Sequence, residues 1–234
     1  MAAAPRGTAP PRGRGRSSGG AAAERLPGRA RLLARLEAEV AHGRTLLLLG
    51  PTGAGKSRLL AGLWSRLRRR GVPSALAPQT RALGDVTAAL GRAYPEAYDP
   101  SLSQRHQRSR LRAAAEVRPG ALLLDHVEAP GTATKSLLRS LRGLELGVVL
   151  AMDVDHPRDH AAVRALHLSH LEVVVPPLPL STMATLLDAG LERVVPLHPL
   201  RDEDRARLLG LAQGNPGRLE LFVGLLTEVR YWHE

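Results

Sequence analysis

Apolar positions along this chain change their spacing from block to block, and each spacing predicts an element. RARLLARLEAEVAHG (29–43) sets Leu32, Leu33, Leu36 and Val40 at helical intervals and stops at Gly43, which predicts a helix. TLLLLG (45–50) is apolar at successive positions, the pattern of a strand covered on both faces in a parallel sheet. From Ser57 to Arg70 the helical interval returns through Leu59, Leu60, Leu63 and Leu67. It closes on Arg68, Arg69 and Arg70 before Gly71, cations that suit the negative end of a helix. PSALAP (73–78) predicts a short strand, and helices follow at about 82–94 and 101–118. ALLLD (121–125) is a second strongly buried strand, followed by a helix over 132–143 and strands LGVVLAMD (146–153) and LEVVVP (171–176).

Alternating strands and helices predict an α/β core, a parallel sheet covered on both faces. After Pro176-Pro177 the alternation ends. LSTMATLLDAGLERV, RDEDRARLLGLA and GRLELFVGLLTEVRYW are three consecutive helical patterns, the last opened by Asn215 as N-cap and Pro216 in its first turn. The expected organisation is a disordered basic tail over 1–24, a nucleotide-binding core over 25–177 and a small helical lid over 178–234. Tyr231-Trp232 is expected to pack the last helix onto that lid. No internal repeat is visible.

Composition narrows the classes. The 234 residues include no cysteine, which removes disulfides and thiolate metal sites. No run of about eighteen apolar residues suggests a membrane span. The first twenty residues lack an apolar signal core, so a cytoplasmic protein without a membrane partner is expected. Aromatics are 3%, leaving Leu, Val and Ala to build the core. The net charge is +11. The first twenty residues contribute Arg6, Arg12, Arg14 and Arg16 and no acid, so the rest still carries +7, compatible with phosphate-rich partners including nucleic acid. Lysine occurs only at Lys56 and Lys135, so much of the arginine reflects a composition bias. The arginines of QRHQRSRLR (104–112) read first as a solvated helix face and second as a track for a nucleic-acid backbone. His156 and His160 stand four apart, but no carboxylate or thiolate set supports a metal site there.

The chemistry concentrates in two stretches. Strand 45–50 runs into GPTGAGKS (50–57), a match to G-x-x-x-x-G-K-[ST] with a strand before it and a helix after it. Glycines let successive backbone N–H groups turn inward onto a phosphate, and the helix start adds its positive end. The loop residues Gly50, Pro51, Thr52, Gly53, Ala54, Gly55, Lys56 and Ser57, with Arg58 after them, are the candidate nucleotide contacts. Lys56 reaches the β- and γ-phosphates, and the Ser57 hydroxyl ligands Mg²⁺. Asp125 ends a second buried strand, expected next to the first, and is the second candidate Mg²⁺ ligand.

The chain carries no NKxD motif of guanine-specific GTPases and no LSGGQ-like signature of ABC transporters. The order LPGRARLLARL (26–36), GPTGAGKS, LLLDH, VVLAMD, VVVPPLPLSTMATLL and GNPGRLELF (214–222) resembles the AAA+ P-loop ATPases. Within them it is most similar to the bacterial group related to origin-recognition and transposon-partner ATPases and to the ATPase modules of STAND regulators. That resemblance implies a P-loop three-layer αβα core with a parallel five-stranded sheet, followed by a small α-helical lid. It implies ATP and Mg²⁺ as ligands, a homo-oligomer, and a DNA or protein partner. By match it makes Arg218 a sensor of the γ-phosphate and Asp153 the polar residue at the end of the fourth strand, and it puts an arginine finger at Arg158 or Arg164. Where many relatives have a water-polarising Glu after the metal Asp, this chain has His126. Glu128 lies two residues on and is the candidate base, completing Lys56, Asp125, Glu128 and Arg218 as the catalytic set. Two functions remain open: an ATPase that switches conformation or oligomeric state, or a nucleotide-gated binding module with little or no hydrolysis.

Overall fold

In the computed structural model, residues 26–80, 82–127, 131–141, 143–154 and 170–228 are described. The tail, Glu128, Arg158, Arg164, His156, His160 and Tyr231-Trp232 lie outside them. The core elements are α1 (Ala30–Ala41), β1 (Thr45–Gly50), α2 (Lys56–Arg69), β2 (Ser74–Ala77), α3 (Leu83–Ala93) and α4 (Gln104–Val117). They continue through β3 (Ala121–Leu124), α5 (Thr132–Ser140), β4 (Gly147–Asp153) and β5 (Leu171–Val174). Then come α6 (Leu180–Leu191), α7 (Asp202–Ala212) and α8 (Pro216–Leu225). Each falls within a few residues of its expected position.

The strands form one sheet in the order β2-β3-β4-β1-β5, every pair parallel. One expectation needs correction: β3 does not neighbour β1. β4 lies between them, pairing Leu47 with Leu150 on one side and Leu150 with Leu124 on the other. Both strands are uniformly apolar, so a run of leucines cannot tell which of several buried strands is adjacent.

The alternation of a strand explains those runs. Leu47, Leu49, Leu122, Leu124 and Leu150 face a cluster with α3, α4 and α5, whereas Leu46, Leu48, Leu123 and Val149 face one with α1 and α2. Every position of the central strands is therefore covered, which gives three layers, helix on sheet on helix. Tyr94 is fully buried among the aliphatics and donates its hydroxyl to the Arg118 carbonyl at 3.1 Å. A third cluster joins α6, α7 and α8 through Leu178, Met183, Leu187, Ala212, Leu219 and Val223. Among the described residues no helix is long and apolar enough to cross a membrane.

Because β3 and its neighbours have no slack, Leu122→Ala is expected to cost about 2–5 kcal/mol in urea denaturation. Val117→Ala, at a position 87% exposed, should move the midpoint by less than about 0.5 kcal/mol.

Candidate functional site

β1 ends at Gly50, and the chain turns through 51–55 into α2. Gly53 (φ 82°) and Gly55 (φ 92°) take left-handed conformations that a side chain would strain. Gly55 is the N-cap of α2, and no side chain caps it. The first-turn N–H groups of that helix and its positive dipole end therefore face the cleft with no side-chain cap on them, an arrangement that accepts phosphate.

Lys56 is 9% exposed, and its Nζ donates to the carbonyls of Gly50 (2.7 Å) and Pro51 (2.9 Å). It also forms a short ion pair with Asp153 Oδ1. The other carboxylate oxygen of Asp153 accepts from the Thr52 hydroxyl at 3.1 Å. Burial raises the Asp153 pKa, but the hydrogen bond and charge of Lys56 and the Thr52 hydroxyl outweigh it, so the net shift is below the usual carboxylate value. β4 delivers Asp153 here because it pairs in register with Gly50, the last residue of β1.

Asp125 sits one residue past β3, its side chain 9% exposed. Its backbone N–H donates to Ala77 at 2.9 Å. His126 follows in a left-handed conformation (φ 46°), uncommon outside glycine and a local strain. It is held by its own N–H on Asp125 Oδ1 (3.0 Å) and by the Thr80 hydroxyl on its carbonyl (3.3 Å). The imidazole Nε2 lies 3.8 Å from Asp125 Oδ2. His126 thus stands at the mouth of the cleft, with Asp125 behind it.

The lid closes the other wall. Lys56, Ser57, Arg58, His126 and Asp153 share a cleft of about 210 Å³ with Pro216, Gly217 and Glu220 at the start of α8. Asn215 does more than cap that helix. Its Oδ1 accepts from the N–H groups of Gly217 and Arg218, while its Nδ2 donates to the Thr52 carbonyl at 2.8 Å. Gly217 N–H donates to the Gly53 carbonyl at 3.0 Å. The backbones approach so closely that a Cβ on Gly217 would lie 2.5 Å from Gly53 Cα. On the far side, the buried Arg29 donates to the carbonyls of Pro176 and of Ala54 (3.3 Å for the latter), joining the start of the lid connection to the phosphate loop. Burial lowers the Arg29 pKa.

The expected residues therefore gather unevenly. Thr52, Gly53, Gly55, Lys56, Ser57 and Arg58 line the cleft, whereas Gly50, Pro51, Ala54 and Asp125 do not. Arg58 pairs with Glu220 at 3.7 Å, both well exposed. Arg218 is exposed and donates to Gln213 Oε1 at 3.1 Å rather than lining the cleft. Glu128 lies outside the described residues. Asn215 and Gly217 as a bridge to the loop were missed. An N-cap signal announces a helix start, and the sequence holds no sign that the same side chain also bonds Thr52, 163 residues away.

A family model described as Novel STAND NTPase 1 matches residues 19–233. The chain belongs to that family. Its fold is that of AAA+ P-loop NTPases, as the solved structures it resembles also indicate. Orc1 of Aeropyrum pernix, in complex with DNA, superposes with a TM-score of 0.58 at 20% identity, over 90% of this chain and 62% of that one. Cdc6p of Pyrobaculum aerophilum gives 0.57 at 14% identity over 89% and 62%. AMPPCP-bound DnaA of Aquifex aeolicus gives 0.51 at 18% identity over 88% and 62%. This chain thus spans about three fifths of those proteins. No curated protein sequence matches it.

Asn215→Ala removes a helix cap and a buried tie to the loop together. It should lower stability by about 2 kcal/mol in urea denaturation, whereas Gln213→Ala, which removes only the exposed contact with Arg218, should change it by less than about 0.5 kcal/mol. The depressed pKa of Asp153 has a signed consequence. Its contribution to stability is present above the ordinary carboxylate value of 3.8 and is lost as pH falls through the lower folded value. Asp153→Asn should therefore flatten the acid limb of a melting-temperature profile below that pH.

Proposed function

We propose that this chain is an ATP-binding switch that hydrolyses ATP with Mg²⁺ and converts nucleotide state into a change of lid position or oligomeric state. The single observation that carries this reading is the direct bonding of the lid helix to the outer carbonyls of the phosphate loop, Asn215 to Thr52 and Gly217 to Gly53. In such a loop the N–H groups turn toward phosphate. A loop that tightens on phosphate through those groups shifts the carbonyls that α8 holds.

In this proposal Lys56 neutralises the β- and γ-phosphates, Gly53, Gly55 and the first turn of α2 supply N–H donors, and Ser57 and Asp125 hold the metal. The donor set fits Mg²⁺, a hard cation that takes a hydroxyl, one or two carboxylates, phosphate oxygens and water. When bound, it offsets charge on the phosphates. Arg218 reaches the terminal phosphate by exchanging Gln213 for it. Glu128 is the proposed base, orienting a water for attack on the γ-phosphorus. The DNA named with the Orc1 structure and the AMPPCP named with DnaA support ATP as the nucleotide and DNA as a partner to test.

A second reading is favoured by His126, which occupies the position after the metal aspartate where a glutamate would polarise water. It is a nucleotide-gated module that binds partners when charged with ATP and hydrolyses little. Steady-state phosphate release by wild type, Lys56→Ala and Glu128→Gln, with and without DNA, separates the two. The leading proposal expects measurable turnover that Lys56→Ala and Glu128→Gln each lower by about 10²-fold or more. Tight ATP binding without turnover selects the second reading. A Lys56→Ala protein that binds ATP as well as wild type removes both. Size-exclusion chromatography with a slowly hydrolysed ATP analogue should show a shift to larger species if the switch is oligomeric.

A further inference from the structure

We propose that Asp153 is a positioning residue that sets the nucleotide affinity of this cleft, because it holds Lys56 in the place a phosphate would take. The proposal rests on the nucleotide-binding reading above and specifies which phosphates the site disfavours.

An ammonium group has three N–H donors. On Lys56 they meet the Gly50 carbonyl, the Pro51 carbonyl and Asp153 Oδ1. Two of those partners are backbone groups of the loop itself and remain when nucleotide arrives. The third is a carboxylate, the one partner that an incoming phosphate oxygen can replace like for like. The second carboxylate oxygen takes the Thr52 hydroxyl. Asp153 therefore bridges an early and a late residue of the loop with two anionic oxygens, as a phosphoryl group does.

Its release is constrained by the sheet. Asp153 is the last residue of β4, paired in register with Gly50, and the next N–H, that of Val154, donates to the Gly50 carbonyl at 3.3 Å. A displaced carboxylate can rotate about its side-chain bonds but cannot leave the end of the strand without unpairing it. It stays beside the phosphates that displaced it. Exchange of a charge-assisted hydrogen bond and like-charge repulsion then act in the same direction, against nucleotide. The penalty falls on phosphates that reach Lys56, the β and γ groups, and spares the α-phosphate.

The test is isothermal titration calorimetry on the full chain in Mg²⁺ buffer, with AMP, ADP, ATP and inorganic pyrophosphate as probes. Wild type, Asp153→Asn and Asp153→Ala are compared, and folding of each is checked by its melting transition. The expected result is that Asp153→Asn binds ADP, ATP and pyrophosphate about tenfold tighter than wild type, while AMP affinity is unchanged; Asp153→Ala shows the same selectivity. Equal or weaker ADP binding in both variants than in wild type overturns the proposal. So does an equal gain for AMP, which would mean a merely looser cleft. If no protein, wild type or variant, binds ADP, ATP or pyrophosphate, the nucleotide-binding function itself fails and this inference with it.

Discussion

Burial of β1 on both faces is the constraint on which the rest of this structure depends. Leu46 and Leu48 pack against α1 and α2, Leu47 and Leu49 against the opposite helical layer, and all four are nearly inaccessible. A strand so enclosed, paired on both edges by β4 and β5, has one register and one height in the sheet. A one-residue slip would turn its side chains to the wrong layers. The phosphate loop begins where that strand ends, so its position is set by core packing. The same register brings Asp153 of β4 level with Gly50. The ion pair with Lys56 is thus a product of sheet alignment as much as of charge.

The lid is tied to this anchored loop by unusually local means. α8 meets it through the Gly217 backbone, set against Gly53, and through the Asn215 side chain, which spans to the Thr52 carbonyl. Both glycines are needed, because a methyl group on either would meet its neighbour below 3.0 Å. Arg29 makes a complementary tie, donating to the carbonyls of Pro176 beyond β5 and of Ala54 in the loop. The helices after β5 are therefore joined to the loop at two places, the chain leading into α6 and the start of α8.

Much of this was legible beforehand. The change from uninterrupted apolar strands to helical periods located the elements of the core. The end of alternation at Pro176-Pro177 separated three consecutive helices from the sheet. GPTGAGKS was recognisable because its glycines answer a backbone requirement that does not depend on the rest of the fold. Asp125 was recognisable as the acid at the end of an apolar strand. Less legible were contacts between residues far apart in the chain. Asp153 was visible as a polar residue ending a strand, with nothing to indicate that its carboxylate lies on Lys56. Arg218 matched a motif by position, yet its guanidinium bonds Gln213. The adjacency of β3 and β1 was misjudged because leucine runs are interchangeable among buried strands.

Local backbone demands and hydrophobic period, then, were written in the sequence: the helices, the strands, the left-handed glycines of the loop and the cap at Asn215. Each depends on residues within a turn or two of one another. Strand order, the partner of Lys56, the left-handed turn at His126 and the lock between Gly53 and Gly217 were decided only by the tertiary structure. Those depend on which surfaces meet after collapse, and the local pattern leaves that choice open. The physical reason is the same in each case. Burial energy is non-directional and accepts several arrangements of equally apolar strands, whereas hydrogen bonds and close backbone contacts have short range and select one arrangement once the core has brought their groups together.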